Sequence, residues 1–187
     1  SSSFLRKPPV RPAQEVVDEI AGMGGKAIAN GDSVATWEGA KAIIDCAVDT
    51  FGDLHGLVNN AGILRDRMLV SMSEEDFDSV INVHLKGTWL MMKHASAHWR
   101  EKAKAGEEVK ASIVNTSSTS GLHSNIGQGN YGPAKSAIAT LSIIGARELG
   151  RYGVRVNAIA PSARTRMTMS TPGLSERIAE PEDGSFD

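Results

Sequence analysis

Three short apolar runs, at 54–61, 111–115 and 154–160, are separated by longer stretches of helical period. Strands that alternate with helices force a parallel sheet, because each crossover must carry the chain back to the edge it started from. Such a sheet is expected to be covered by helices on both faces. The helical stretches are 14–23, with Val16, Val17, Ile20 and Ala21 on one face, and about 36–51, with Ala40, Ile43, Ile44 and Ala47. A long third helix runs from the Ser73-Glu74-Glu75-Asp76 start to about 104, and a fourth from Tyr131 to about 149. Gly24-Gly25, Gly52, Gly106 and Gly150 stop them in turn. Lys26-Ala27-Ile28-Ala29 adds a further candidate strand. The fold class is therefore α/β, with a doubly wound parallel sheet.

The chain has 187 residues, 41% of them hydrophobic, which suits one core. Residues 1–13, with three serines and three prolines, read as an irregular arm. The domain is expected over 14–168, and the polar, acidic stretch 169–187 as a mobile tail. A net charge of −2 without like-charged runs argues against a nucleic-acid or anionic-membrane partner. No apolar run approaches the ~18 residues of a membrane span, and the start lacks a signal-peptide core. The lone Cys46 rules out an internal disulfide and reads as inert packing in a reducing compartment. These features point to a cytoplasmic protein.

In an open parallel sheet, ligands bind beyond the carboxyl ends of the strands. Asn59-Asn60-Ala61-Gly62, Ser117-Ser118 and Pro161-Ser162-Ala163-Arg164-Thr165 fall there. Tyr131 and Lys135 stand four apart at a helix start, so they share one face. A phenol is a poor base at neutral pH, but an adjacent ammonium stabilises the phenolate and lowers its pKa. A serine hydroxyl beside it can hold a carbonyl or hydroxyl oxygen. That is equipment for oxidising an alcohol, provided a hydride acceptor lies opposite. Taken alone, a Tyr and a Lys four apart are ordinary neighbours on a solvated face. The order of the four segments along one sheet is what changes the reading.

With these pieces in view, the sequence resembles the short-chain dehydrogenases/reductases. The resemblance rests on Asn59-Asn60-Ala61-Gly62, on Ser118 thirteen residues before Tyr131, on Tyr131-x-x-x-Lys135, and on Val154-Arg155-Val156-Asn157-Ala158-Ile159-Ala160-Pro161. It covers roughly residues 14–168. A narrower likeness is to the 3-hydroxyacyl-CoA dehydrogenase domain of multifunctional enzyme type 2 and its bacterial single-domain relatives. It is carried by 61–68 (Ala-Gly-Ile-Leu-Arg-Asp-Arg-Met), by 83–87 (Val-His-Leu-Lys-Gly), by 127–131 and by 160–168. The resemblance implies a Rossmann-like fold and a nicotinamide cofactor, NAD or NADP, with NAD slightly preferred. It implies Tyr131 as general acid/base, Lys135 as the residue that lowers its pKa and binds the nicotinamide ribose, and Ser118 as the group orienting the substrate oxygen. Asn60, Ala61 and Gly62 would line the adenosine-ribose side. Ser33 and Val34 would sit near the adenine, and Pro161 and Thr165 near the nicotinamide amide. The partner is then a small-molecule substrate, and a homodimer or homotetramer is expected through the 73–104 and 131–149 helices.

Two departures from the family pattern stand out. His84 occupies the place of a family asparagine that serves a water-linked proton relay. It is either a substitute for that asparagine or a histidine satisfied within the core. The second departure is larger. No Gly-x-x-x-Gly-x-Gly precedes residue 24, although the family places its pyrophosphate on the helix after such a turn. Two central strands, expected between 26–29 and 54–61 in the sheet, are therefore missing, as are the C-terminal lid and last strand. Three explanations stand: joined pieces of a longer protein, a shortened product, or a partner that fills the gap. A cofactor-deficient scaffold is accordingly the alternative function.

Several signals carry less. His94 and His98 share a helical face but lack the Glu of a His-Glu-x-x-His zinc site, so no metal is expected. Arg65, Asp66 and Arg67 either face an acyl-CoA substrate or belong to a solvated loop. Trp89, Met91, Met92 and Trp99 are either core or subunit interface.

Overall fold

The computed structural model describes residues 11–161. The tail at 169–187 and Thr165 lie outside the described residues. Three parallel strands, β1 (Gly56–Asn59), β2 (Ala111–Thr116) and β3 (Val154–Ile159), form one sheet in the order β1-β2-β3. The register sets Leu57 beside Ile113 and Ile113 beside Val156. The helices are α1 (Arg11–Gly22), α2 (Trp37–Phe51), α3 (Glu74–Ile81), α4 (Gly87–Lys104), α5 (Thr119–His123) and α6 (Tyr131–Leu149). α1 takes in residues 11–13, which the sequence assigns to the arm.

Local chemistry sets the helix starts. Thr36 caps α2 by accepting from the Gly39 amide, and Gly52 ends that helix at φ 84°. Ser73 caps α3 through the Asp76 amide, and Glu74, Glu75 and Asp76 sit at the positive end of its dipole. The long helix expected from 74 to 104 is interrupted by a π turn, Asn82–Lys86, which turns His84 into the interior.

Alternation along the strands sorts the core. Leu57, Ala111, Ile113, Val154 and Val156 point to one face, where Ala40 and Ile44 of α2 and Leu90, Met91, Met92, Ala95 and Trp99 of α4 close over them. The Trp99 indole N–H donates to Leu54 O at 2.6 Å, so this largest core side chain is both packed and satisfied. Met91, Met92 and Trp99 are thus core residues, whereas Trp89 is 44% exposed.

Two expectations need correction. The first is the strand at 26–29, which is irregular backbone with Ile28 exposed. A strand needs a partner for its ladder, and no described segment pairs with this one. The second is helical cover on both faces. Among the described residues the cover lies on one, and the opposite face leaves Val58 and Ile159 exposed. No described side chain of α1 is buried.

Candidate active site

The carboxyl ends of the strands share one edge, and the chain leaving each carries polar side chains into a common region. After β2, the Ser117 amide donates to Ile159 O at 2.7 Å and its hydroxyl to Lys135 O at 2.8 Å. This buried serine ties β2, β3 and α6 together. Ser118 caps the short α5 by accepting from the Ser120 amide. Gly121 permits α5 to lie on α6, since a Cβ there would meet the Ser136 amide at 2.6 Å. α6 then starts at Tyr131, capped by Asn130, whose Oδ1 accepts from the Tyr131 amide at 2.7 Å. The Asn130 amide group also donates to Arg65 O and Asp76 O, so one fully buried side chain fixes Tyr131 against the loop after β1.

The structure brings Ser118, Tyr131, Lys135 and His84 together. The Lys135 ammonium lies over the face of the Tyr131 ring, 5.5 Å from its centroid. The His84 ring stands at 89° to the Tyr131 ring, with centroids 5.1 Å apart. The Ser118 hydroxyl acts on the phenol as a hydrogen-bonding neighbour.

The electrostatics differ from expectation at one point. The Tyr131 phenol is raised above its usual pKa of 10, not lowered. Burial is the main cause and the Asp66 charge adds to it, while Ser118 opposes them. Lys135 does not reverse this, because its ammonium is turned to Thr116 O at 2.6 Å and faces the ring. Burial drops Lys135 itself from 10.5 to about 8. Tyr131 is therefore protonated at neutral pH.

His84 is 2% exposed and is pushed down from 6.5 to about 4, chiefly by burial and further by Lys135. It is neutral at pH 7. Its Nε2 lies 2.8 Å from Ile63 O and 3.1 Å from Ile63 N, which holds the Asn-Asn-Ala-Gly turn in place. Its Nδ1 is buried without a partner among the described residues. Gly62 is needed for this approach, since a Cβ there would lie 2.5 Å from His84 Cε1.

The sequence-predicted cofactor residues divide. Asn60 and Ala61 are exposed at the strand edge, and Asn59 is held beneath them by a 2.8 Å bond to Asn115. Pro161 is exposed beyond β3. Ser33 is exposed, and its hydroxyl accepts from the Ala35 amide. Val34 packs on the core at the start of α4, where Gly87 leaves room for it. By the resemblance, Lys135 would serve the nicotinamide ribose, and Asn60 and Ala61 the adenosine ribose, of a bound dinucleotide. Among the described residues no Gly-rich turn before a helix provides a seat for its pyrophosphate.

His94 and His98 have different partners. His94 packs edge-on against Trp37 at 4.6 Å, and His98 Nε2 lies 3.0 Å from Asp53 Oδ1. Among the described residues no group of three potential metal ligands occurs, and no helix is long and apolar enough to cross a membrane.

Sequence reasoning missed Asn130, Gln128 and Asn125 as parts of the site. Their signal was a cluster of amides among glycines directly before Tyr131.

A parallel α/β sheet with this serine, tyrosine and lysine at its carboxyl edge defines a dehydrogenase-type site. The chain belongs to the short chain dehydrogenase family, whose model matches residues 5–173. It is similar to the hydroxyacyl-CoA dehydrogenase ChsB1 of Mycobacterium tuberculosis, with 45% identity over 181 residues, covering 94% of this chain and 56% of that protein. It is similar to the peroxisomal multifunctional enzyme type 2 of Mus musculus, with 43% identity over 168 residues, 90% of this chain and 21% of that one. The crystal structure of a short chain dehydrogenase from Mycobacterium avium superposes with a TM-score of 0.81 and 61% identity, covering 83% of this chain and 53% of that one. The chain thus spans little more than half the length of the first relatives it matches.

Proposed function

We propose that this chain carries the catalytic centre of a nicotinamide-dependent oxidoreductase that interconverts a secondary alcohol and a ketone, with a 3-hydroxyacyl-CoA as substrate class. The observation that carries the reading is the convergence of Ser118, Tyr131 and Lys135 beside His84 at the carboxyl edge of the sheet. The nicotinamide, when bound, accepts or supplies the hydride. In reduction, Tyr131 Oη gives its proton to the carbonyl oxygen as that oxygen becomes a hydroxyl. In oxidation the phenolate takes the proton back. Ser118 Oγ holds the reacting oxygen. Lys135 lies over the ring and stabilises the phenolate when it forms. By the resemblance, Asn60, Ala61 and Gly62 line the adenosine-ribose side, Ser33 and Val34 serve the adenine, and Pro161 and Thr165 serve the nicotinamide amide.

The substrate class comes from likeness to a relative named as a hydroxyacyl-CoA dehydrogenase. NAD is the preferred cofactor by resemblance. Exposed Trp89, Ile143 and Ile144 on α4 and α6 support a homodimer or homotetramer through those helices. The reading is tested by following nicotinamide absorbance with 3-hydroxyacyl-CoA and 3-ketoacyl-CoA substrates. Turnover with NAD or NADP is expected, and its absence with both would count against it.

A second reading is a scaffold of the same fold that binds no nicotinamide nucleotide. A titration with NADH and NADPH, read by nicotinamide fluorescence, separates the two. Saturable binding excludes the scaffold.

A further inference from the structure

Two stretches at the carboxyl edge invert the usual sorting of side chains. Across α5 and the chain leading to α6, Gln128 and Asn130 are buried while Leu122 and Ile126 are exposed. In the loop after β1, Asp66 is half-buried while Met68, Leu69 and Val70 are exposed. Val70 is 96% exposed, Ile126 89% and Leu69 79%. A single exposed apolar side chain needs no explanation. A group of them turned outward, with polar neighbours turned inward, marks a surface that meets something apolar. None of these five takes part in the proton transfer.

The two stretches are tied to each other and to the catalytic phenol. Arg67 and Gln128 form a parallel bridge, in which the Arg67 amide donates to Gly127 O at 2.8 Å. Gln128 Nε2 donates to Asp66 Oδ2 at 2.9 Å. Met68 follows this bridge directly, and Ile126 directly precedes its Gly127 side. Leu69 rests on the backbone two residues before Tyr131, since a Cβ on Gly129 would lie 3.3 Å from Leu69 Cδ1. Asn130, which caps α6 at the Tyr131 amide, also holds Arg65 O at 2.9 Å. The apolar rim is therefore fixed relative to Tyr131.

Charge narrows the choice of occupant. Arg65 and Arg67 are exposed on the same loop. The Arg65 guanidinium donates to Leu64 O, and that of Arg67 donates to Asp66 O and lies 3.7 Å from Asp76 Oδ2. An apolar rim bordered by cations fits an apolar chain that carries an anionic group. A protein surface seated there would instead cover the start of α6.

We infer that Met68, Leu69, Val70, Leu122 and Ile126 form the seat of the substrate's acyl chain and make the site selective for long-chain over short-chain acyl thioesters. The inference rests on the oxidoreductase reading with an acyl-CoA substrate and deepens it.

The test compares kcat/KM for 3-ketododecanoyl-CoA with that for acetoacetyl-CoA in the parent protein and in a Leu69→Ser, Ile126→Ser double variant. The ratio of long to short should exceed one in the parent. It should fall by about ten-fold in the variant, as expected when one to two methylenes lose their apolar contact. Leu69→Met with Ile126→Leu should restore it. Val70→Ser, at the most exposed position, carries the test if the double variant loses its helical circular dichroism. A structural role would lower both rates and leave the ratio alone, and an unchanged ratio in folded variants overturns the inference. So does a change of sedimentation coefficient without a change of ratio, which would make the rim a contact between copies of the chain. Calorimetric titration with dodecanoyl-CoA and with free coenzyme A needs no turnover. Tighter binding of dodecanoyl-CoA that the variant loses, in a protein without activity, sinks the oxidoreductase reading and keeps the acyl seat. Turnover without chain-length preference sinks the seat alone.

Discussion

The His84 ring meets the Tyr131 ring edge-on, with centroids 5.1 Å apart and planes at 89°. The contact joins the π turn to the start of α6 and puts a buried neutral imidazole against the residue that would move the proton. Its Nε2 is occupied by Ile63. The structure therefore combines the two alternatives that the sequence leaves open. His84 is satisfied within the core through one nitrogen, and its other nitrogen has no partner among the described residues.

His84 should make the fold acid-sensitive. Its pKa falls from 6.5 in the unfolded chain to about 4 in the folded one, so between these values the unfolded chain binds more protons. Stability is full above pH 6.5 and lost as pH drops toward 4, by on the order of 3 kcal/mol at about 1.4 kcal/mol per pH unit. Urea midpoints compared at pH 7 and pH 4 should show this loss in the parent protein and a smaller one in His84→Asn. Equal losses would remove His84 as the cause.

Gly62→Ala should displace His84, because the new methyl would sit 2.5 Å from Cε1 and the ring is enclosed. A cost of about 1–3 kcal/mol is expected for such overpacking, read from urea unfolding. Turnover should fall with it, since Tyr131 rests on the same ring. A variant as stable as the parent would show that the turn yields instead.

Lys135 works in the opposite pH range. Burial lowers it from 10.5 to about 8, so its charge costs stability below pH 8. The unfolded chain binds the extra proton between 8 and 10.5, and stability rises with pH across that window. Lys135→Met should flatten this rise in thermal melts taken at pH 8 and pH 10. A rise of the same size in the variant would assign it elsewhere.

The sequence made the sheet legible because each strand is an apolar run followed at once by polar residues, and α6 was legible because Tyr131 precedes a long run of small and apolar residues that Gly150 ends. What it hid depends on partners. Residues 26–29 have the composition of a strand but form no ladder. The π turn at Asn82–Lys86 leaves the apolar rhythm of the long helix nearly intact, so periodicity does not reveal it. α5 is a five-residue segment, too short to show a period. The Asp66–Gln128 contact spans 62 residues and joins two loops, which no local pattern encodes. Hydropathy also could not reveal that Lys135 would face the Tyr131 ring and leave the phenol raised.

The most direct test of the catalytic assignment is the turnover of Tyr131→Phe beside the parent protein, with a 3-hydroxyacyl-CoA and a nicotinamide cofactor. Phenylalanine keeps the ring that packs on His84 and removes only the proton-bearing oxygen. The account predicts a fall of about 10²–10⁴-fold, the range for a lost general acid/base, with circular dichroism unchanged. Parent-like turnover in a folded Tyr131→Phe protein would contradict it.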